Sequence, residues 1–225
     1  MKTLIIARHG NTFAKGETPT RVGCHTDLEL VEEERGRGVG LYLKKLGLVP
    51  TRILAAPLKR TMGTAALAAE AAGCTCSVEP DHRFIEVDYG PDENKTEEQV
   101  KARLGAEAAK AEGIDPATLT AEELDAKGEA IIDKWNADAT VPDGWKVDVQ
   151  QIRDNWMSLA SEVKDGEIML CVSSNGTIRF APVIYGPEQM KGMHGLNENI
   201  EVGCLPAAVD YYKTVIRLQE KRCEV

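Results

Sequence analysis

The chain has 225 residues, 43% of them hydrophobic and 28% charged, which suits one well-buried core of the soluble globular kind. Lysine and arginine number 27 against 36 acidic residues, a net charge of −9 spread along the chain. That balance argues against a nucleic-acid partner, and any phosphate site in it must be built from individually placed arginines.

In chain order, Thr3–Ala7 is an apolar run that reads as a first buried strand. It is too short for a signal peptide and no small-residue cleavage site follows it. No later run has the length that spans a bilayer, so the expectation is a cytoplasmic protein with no membrane partner. Leu28–Leu46 carries a helical pattern, with Leu30, Val39, Leu43 and Leu46 on one face and Gly47 as its stop. Arg52–Ala55 is a short strand, and after Ala56-Pro57 an alanine-rich helix runs from Leu58 to Ala72, closed by Gly73. Val78 and Phe84-Ile85 are weak strand candidates. Residues 94–163 show only polar, helical patterning and read as a helical insertion, or cap, anchored by Trp135, Trp145 and Trp156. Glu167–Val172 is a buried strand, followed by Ser173-Ser174-Asn175-Gly176 and a helical stretch from Thr177 to Tyr185. Ile200–Val202 and Ala207–Tyr212 are strand-like. Alternating strands and helices predict an α/β three-layer sandwich: a mostly parallel sheet, helices on both faces, and the insertion over the strands' carboxyl ends.

Six cysteines in a chain of this size read as reduced thiols. Cys74-x-Cys76 has the wrong spacing for a redox or zinc motif. None of the four histidines, His9, His25, His82 and His194, pairs with a cysteine at metal-ligand spacing. Neither a metal nor a cofactor is expected.

Three segments lie where strands end, the place where open α/β sheets bind ligands. They are Arg8-His9-Gly10, Pro57-Leu58-Lys59-Arg60-Thr61 and Ser173–Gly176. Arginine offers a planar fork to phosphate oxygens, helix starts add backbone N–H donors, and an imidazole can attack phosphorus near neutral pH.

These residues carry a resemblance. Leu4–Thr12, with Arg8-His9-Gly10 at its centre, resembles the opening signature of the histidine phosphatase (phosphoglycerate mutase-like) superfamily. Ala56–Ala65 is similar to its second signature, and Glu86-Val87-Asp88-Tyr89-Gly90 to the segment that supplies its proton donor. The resemblance implies a nucleophile at His9 and an acid at Glu86, whose proton affinity burial or the nearby Asp88 would raise. It implies phosphate binding by Arg8, Arg60 and Arg21, with Asn11 beside them. One departure stands out. Val172-Ser173-Ser174-Asn175-Gly176-Thr177-Ile178-Arg179 keeps the frame of the third signature but puts Ser174 where the superfamily has a second histidine. Ser174 and Asn175 could still donate neutral hydrogen bonds to a phosphoryl group, and His194 in Met193-His194-Gly195 is a further candidate.

The expected function is therefore a phosphomonoester hydrolase, a histidine-type, acid phosphatase-like enzyme with a phosphohistidine intermediate. Its partner would be a small phosphorylated substrate, with room for a homodimer. The alternative is a weak or inactive relative that binds a phosphorylated metabolite or a partner, and a phosphoglycerate-type mutase is a third reading.

Overall fold

The computed structural model describes residues 2–181. Four strands, β1 (Thr3–Arg8), β2 (Arg52–Ala55), β3 (Val78–Pro80) and β4 (Ile168–Ser173), form one sheet in the order β1-β4-β2-β3. Every pairing is parallel. The last strand in sequence is thus threaded between the first two. Flanked on both edges and covered on both faces, it must be apolar throughout, and Met169, Leu170, Cys171 and Val172 are fully buried.

The period-two alternation of side chains sorts the core into two layers. Ile5, Ile53, Ala55, Leu170 and Val172 face α1 (Glu34–Lys45) and α2 (Lys59–Ala72), meeting Leu43, Ala65 and Ala68. Leu4, Leu54, Met169 and Cys171 face the other way. There they meet Phe84 and the Trp156, Leu159 and Val163 side of α5 (Val149–Glu162). Both helices of the first layer stop where glycine turns left-handed, at Gly47 (φ +70°) and Gly73 (φ +78°).

The α/β sandwich expected from the sequence is present, with differences of detail. α1 begins at Glu34, six residues later than the hydrophobic pattern suggests. The segment before it is held by tertiary contacts instead: the Val31 N–H donates to the Asn11 carbonyl, and Asp27 Oδ1 accepts from the Lys59 N–H. Phe84 belongs to a 3₁₀ turn, His82–Phe84, rather than a strand. Residues 94–163 contain α3 (Glu97–Ala111), α4 (Ala121–Asp138) and α5, and they divide. α3 and α4 pack on each other and build a separate cluster from Val100, Leu104, Ile132, Trp135 and Trp145, with Val87, Tyr89 and Phe180. α5, by contrast, is a layer of the sandwich, so Trp156 anchors the sheet rather than a cap. A short α6 (Asn175–Ile178) follows β4. Of the helical stretch expected from Thr177 to Tyr185, α6 covers Thr177 and Ile178, and the chain leaves the helix at Arg179. Residues 182–185, the strand-like segments Ile200–Val202 and Ala207–Tyr212, and His194 lie outside the described residues. Among the described residues no helix is long and apolar enough to cross a membrane.

Candidate active site

Strand order builds the site. Because β4 separates β1 from β2, the three loops leaving their carboxyl ends emerge side by side. Arg8 pairs in register with Ser173, the His9 N–H continues the ladder to the Ser173 carbonyl (3.1 Å), and the Ala56 N–H reaches the Val172 carbonyl (3.0 Å). Thr64 then joins two of these loops. Its hydroxyl accepts from the Gly10 N–H (2.9 Å) and donates to the Arg60 carbonyl (2.7 Å).

His9 is partly buried, and its Nδ1 lies 2.6 Å from the Gly10 carbonyl. A carbonyl can only accept, so Nδ1 carries the hydrogen and the lone pair of the neutral ring is at Nε2. Burial, reinforced by the positive charges of Arg60 and Arg8, lowers the His9 pKa to about 3. The ring is therefore neutral, tautomerically fixed and nucleophilic at physiological pH.

Arg60 is fully buried at the start of α2. It donates to the carbonyls of Thr26 (2.7 Å) and Gly23 (3.2 Å), while its buried Nε has no partner among the described residues. Burial lowers its proton affinity, opposed by Glu86 and Asp27. Arg8, exposed at the end of β1, and Arg60 both act electrostatically on His9 and on Glu86, so the four groups share one pocket.

Glu86 is buried, with Oε1 accepting from the Val87 N–H (2.9 Å) and Oε2 from the Gly176 N–H (3.2 Å). Burial raises its pKa against those hydrogen bonds and the two arginines. Asp88 has no part in this, contrary to the sequence reading. It faces His25 (3.2 Å) and Lys146 (3.9 Å) instead. The acid is held by the turn after β4. Ser173 donates to the Phe84 carbonyl (2.6 Å), Thr177 to the Ile85 carbonyl (2.7 Å), and Gly176 to the carboxylate itself. Glycine at 176 leaves room for the acid, because a Cβ there would run into Glu86 Oε1 and approach the Tyr89 hydroxyl to 2.8 Å. The sequence marked the segment Ser173–Gly176 but gave Ser173 and Thr177 no role of their own, since a lone hydroxyl carries no motif.

The other sequence candidates separate. Ser174 is fully buried at the N-cap of α6, and its hydroxyl has no partner among the described residues. A buried donor at a helix start beside His9 is fit to meet a phosphoryl oxygen. Asn175 is exposed. Asn11 is partly buried, with its backbone carbonyl engaged by Val31. Arg21 is committed elsewhere: it pairs with Glu97 and stacks over Tyr89 (5.3 Å) and Trp145 (4.9 Å). Its buried Nε remains unpartnered among the described residues.

The chain is similar to several known proteins. Residues 4–140 match the model of the histidine phosphatase superfamily (branch 1). A 2,3-bisphosphoglycerate-dependent phosphoglycerate mutase of Thermobifida fusca (strain YX) is 32% identical over 108 residues, and that stretch spans 48% of this chain and 44% of the relative. Among solved structures, a mycobacterial hydrolase (TM-score 0.57, 22% identity) and a mycobacterial glucosyl-3-phosphoglycerate phosphatase (0.54, 24%) each align over 80% of this chain and 77% of their own. The phosphoserine phosphatase of Entamoeba histolytica, in complex with 3-phosphoglyceric acid, aligns over the same shares (0.54, 20%). At these identities the structures are similar in fold.

Proposed function

Because the chain belongs to branch 1 of the histidine phosphatase superfamily, we propose that it is a phosphomonoester hydrolase working through a phosphohistidine at His9. The observation that carries this reading is the Nδ1–H bond from His9 to the Gly10 carbonyl, which leaves Nε2 as a neutral nucleophile between two arginines. In the first step Nε2 attacks phosphorus, the bond from phosphorus to the ester oxygen breaks, and the leaving alkoxide takes the proton of Glu86. In the second, water gives its proton to the Glu86 carboxylate and its oxygen to phosphorus, and the P–N bond breaks to free inorganic phosphate. Arg8 and Arg60 stabilise the phosphoryl oxygens as charge spreads over them, and Ser174 adds a neutral donor.

The same intermediate serves a mutase if a second alcohol, rather than water, accepts the phosphoryl group. The match to the mutase spans 48% of this chain and 44% of the relative, so that protein's activity does not carry over to this chain. A binding-only reading is favoured by one feature, Ser174 in the place of a second histidine. Phosphate release from a panel of phosphomonoesters, native protein against His9→Ala, separates these readings. Turnover that vanishes in the variant supports the phosphohistidine route. Equal release from both proteins, or binding of phosphate without release, sinks it.

A further inference from the structure

Beside the phosphoryl pocket, two loops bring four metal-ligating side chains together. Cys24 and His25 come from the loop whose Gly23 and Thr26 carbonyls hold Arg60. Asp88 and Glu93 come from the segment that follows Glu86. One ligand atom from each of the four lies within 4.8 Å of every other. Their remaining hydrogen bonds leave these atoms available. Asp88 spends Oδ1 on the Gly90 N–H (2.8 Å) and turns Oδ2 to the His25 ring (3.2 Å). Glu93 spends Oε1 on the His25 N–H (2.7 Å). Its Oε2 is buried without a hydrogen-bond partner among the described residues, packed so tightly on Gly23 that a Cβ there would come within 2.6 Å of it. A buried carboxylate oxygen with nothing to accept from calls for a cation.

From this juxtaposition we propose that Cys24, His25, Asp88 and Glu93 form a binding site for a zinc-like divalent ion. One sulfur, one ring nitrogen and two carboxylate oxygens suit a tetrahedral, borderline-soft metal, whereas magnesium and calcium take oxygen alone. Bond lengths of about 2.0–2.3 Å set ligand-to-ligand edges of about 3.3–3.7 Å. The loops therefore close by about 1 Å on binding, and the Cys24 proton is released as the thiolate forms. Lys146, the competing cation at Asp88, is 80% exposed and free to swing into solvent. The ion would clasp the Arg60-holding loop to the segment bearing the acid, so it steadies the phosphoryl pocket without contributing to the chemistry there.

The test uses the full chain, stripped with chelator. Zinc titration calorimetry should show one equivalent, and Co²⁺ should give a thiolate-to-cobalt charge-transfer band. Zinc at a hundredfold over its Kd should raise the melting temperature by about 5–10 °C, and Mg²⁺ should do none of this. Cys24→Ser should lose the band, and Cys24→Ser and Glu93→Gln should each weaken zinc binding at least tenfold. Both substitutions are near-isosteric, and metal-free melting curves will check that they fold. The proposal is overturned if zinc does not bind saturably. It is equally overturned if one equivalent binds unchanged to Cys24→Ser and His25→Ala, which would place the ion elsewhere on the chain. None of these readouts depends on phosphate release, so they stand or fall apart from the hydrolase assignment.

Discussion

Replacing Gly176 by alanine probes the acid without touching it. The added methyl would overlap Glu86 Oε1 and lie 2.8 Å from the Tyr89 hydroxyl and 3.1 Å from Glu86 Cδ. Ordinary carbon contacts begin near about 3.5 Å, so the carboxyl group must retreat by about 1 Å. A displacement of that size costs on the order of 10²-fold in turnover, within the 10²–10⁴-fold that a positioned acid contributes. Stability receives two opposing terms. Overpacking costs about 1–3 kcal/mol, and glycine to alanine in a helix returns at most about 1 kcal/mol. The net change is about 0–3 kcal/mol of destabilisation. The assay is kcat and KM for phosphate release, together with a urea melt. We expect kcat to fall with KM little changed, since Arg8, Arg60 and His9 are left in place. A variant with native kcat and a higher midpoint would refute the reasoning, because the methyl would have found open space where Glu86 is supposed to be.

Three further outcomes follow from the packing and charges. Ser174→Ala should lower kcat by about 10²-fold, the scale of one lost transition-state donor. The urea midpoint should not fall, since a buried hydroxyl with no partner stabilises nothing in the free protein; a lost midpoint with intact kcat would make Ser174 structural. Trp156→Ala should cost about 3–5 kcal/mol, read as a lower melting temperature, because Trp156 is fully buried against Phe84 (ring centroids 4.4 Å apart) and its indole N–H holds the Thr177 carbonyl at 3.0 Å. His9 should make folding acid-sensitive. Its pKa is near 6.5 when unfolded and about 3 when folded, so as pH falls below 6.5 the unfolded state takes up a proton that the folded state refuses. Stability present at pH 7 should drop by up to about 2 kcal/mol at pH 5, and His9→Gln should flatten that slope in urea melts at the two pH values.

Much of this was legible from residue patterns. The apolar runs Thr3–Ala7 and Glu167–Val172 marked the two strands that bear the site, and His9, Arg60 and Glu86 were visible as motifs. What escaped depends on distance along the chain. Leu30 fits a helical stripe, yet it packs over Gly10 and Gly63 from an irregular segment, where tertiary contacts override the local period. α5 reads as one more polar helix of the insertion until Trp156 and Leu159 are seen against the sheet. The expectation of no metal rested on sequence spacing. Cys24 and His25 are adjacent, but Asp88 lies 63 residues beyond His25, and only the fold brings them together.

The place of β4 in the sheet bears on how the molecule is made. Thr3 pairs with Ile168, a separation of 168 − 3 = 165 residues, and β1 and β2 have no direct pairing with each other. Among the described strands, β1 has no neighbour until β4 has left the ribosome, and the exposed edge of β2 is an invitation to wrong partners. Closing so long a loop is slow. The loops bearing His9 and Ser174 therefore come into register only when β4 takes its place between β1 and β2. A chain that lacks β4 thus has the candidate site only in part, with Thr64 tying the Gly10 loop to Arg60 but no Ser174 or Gly176 beside them.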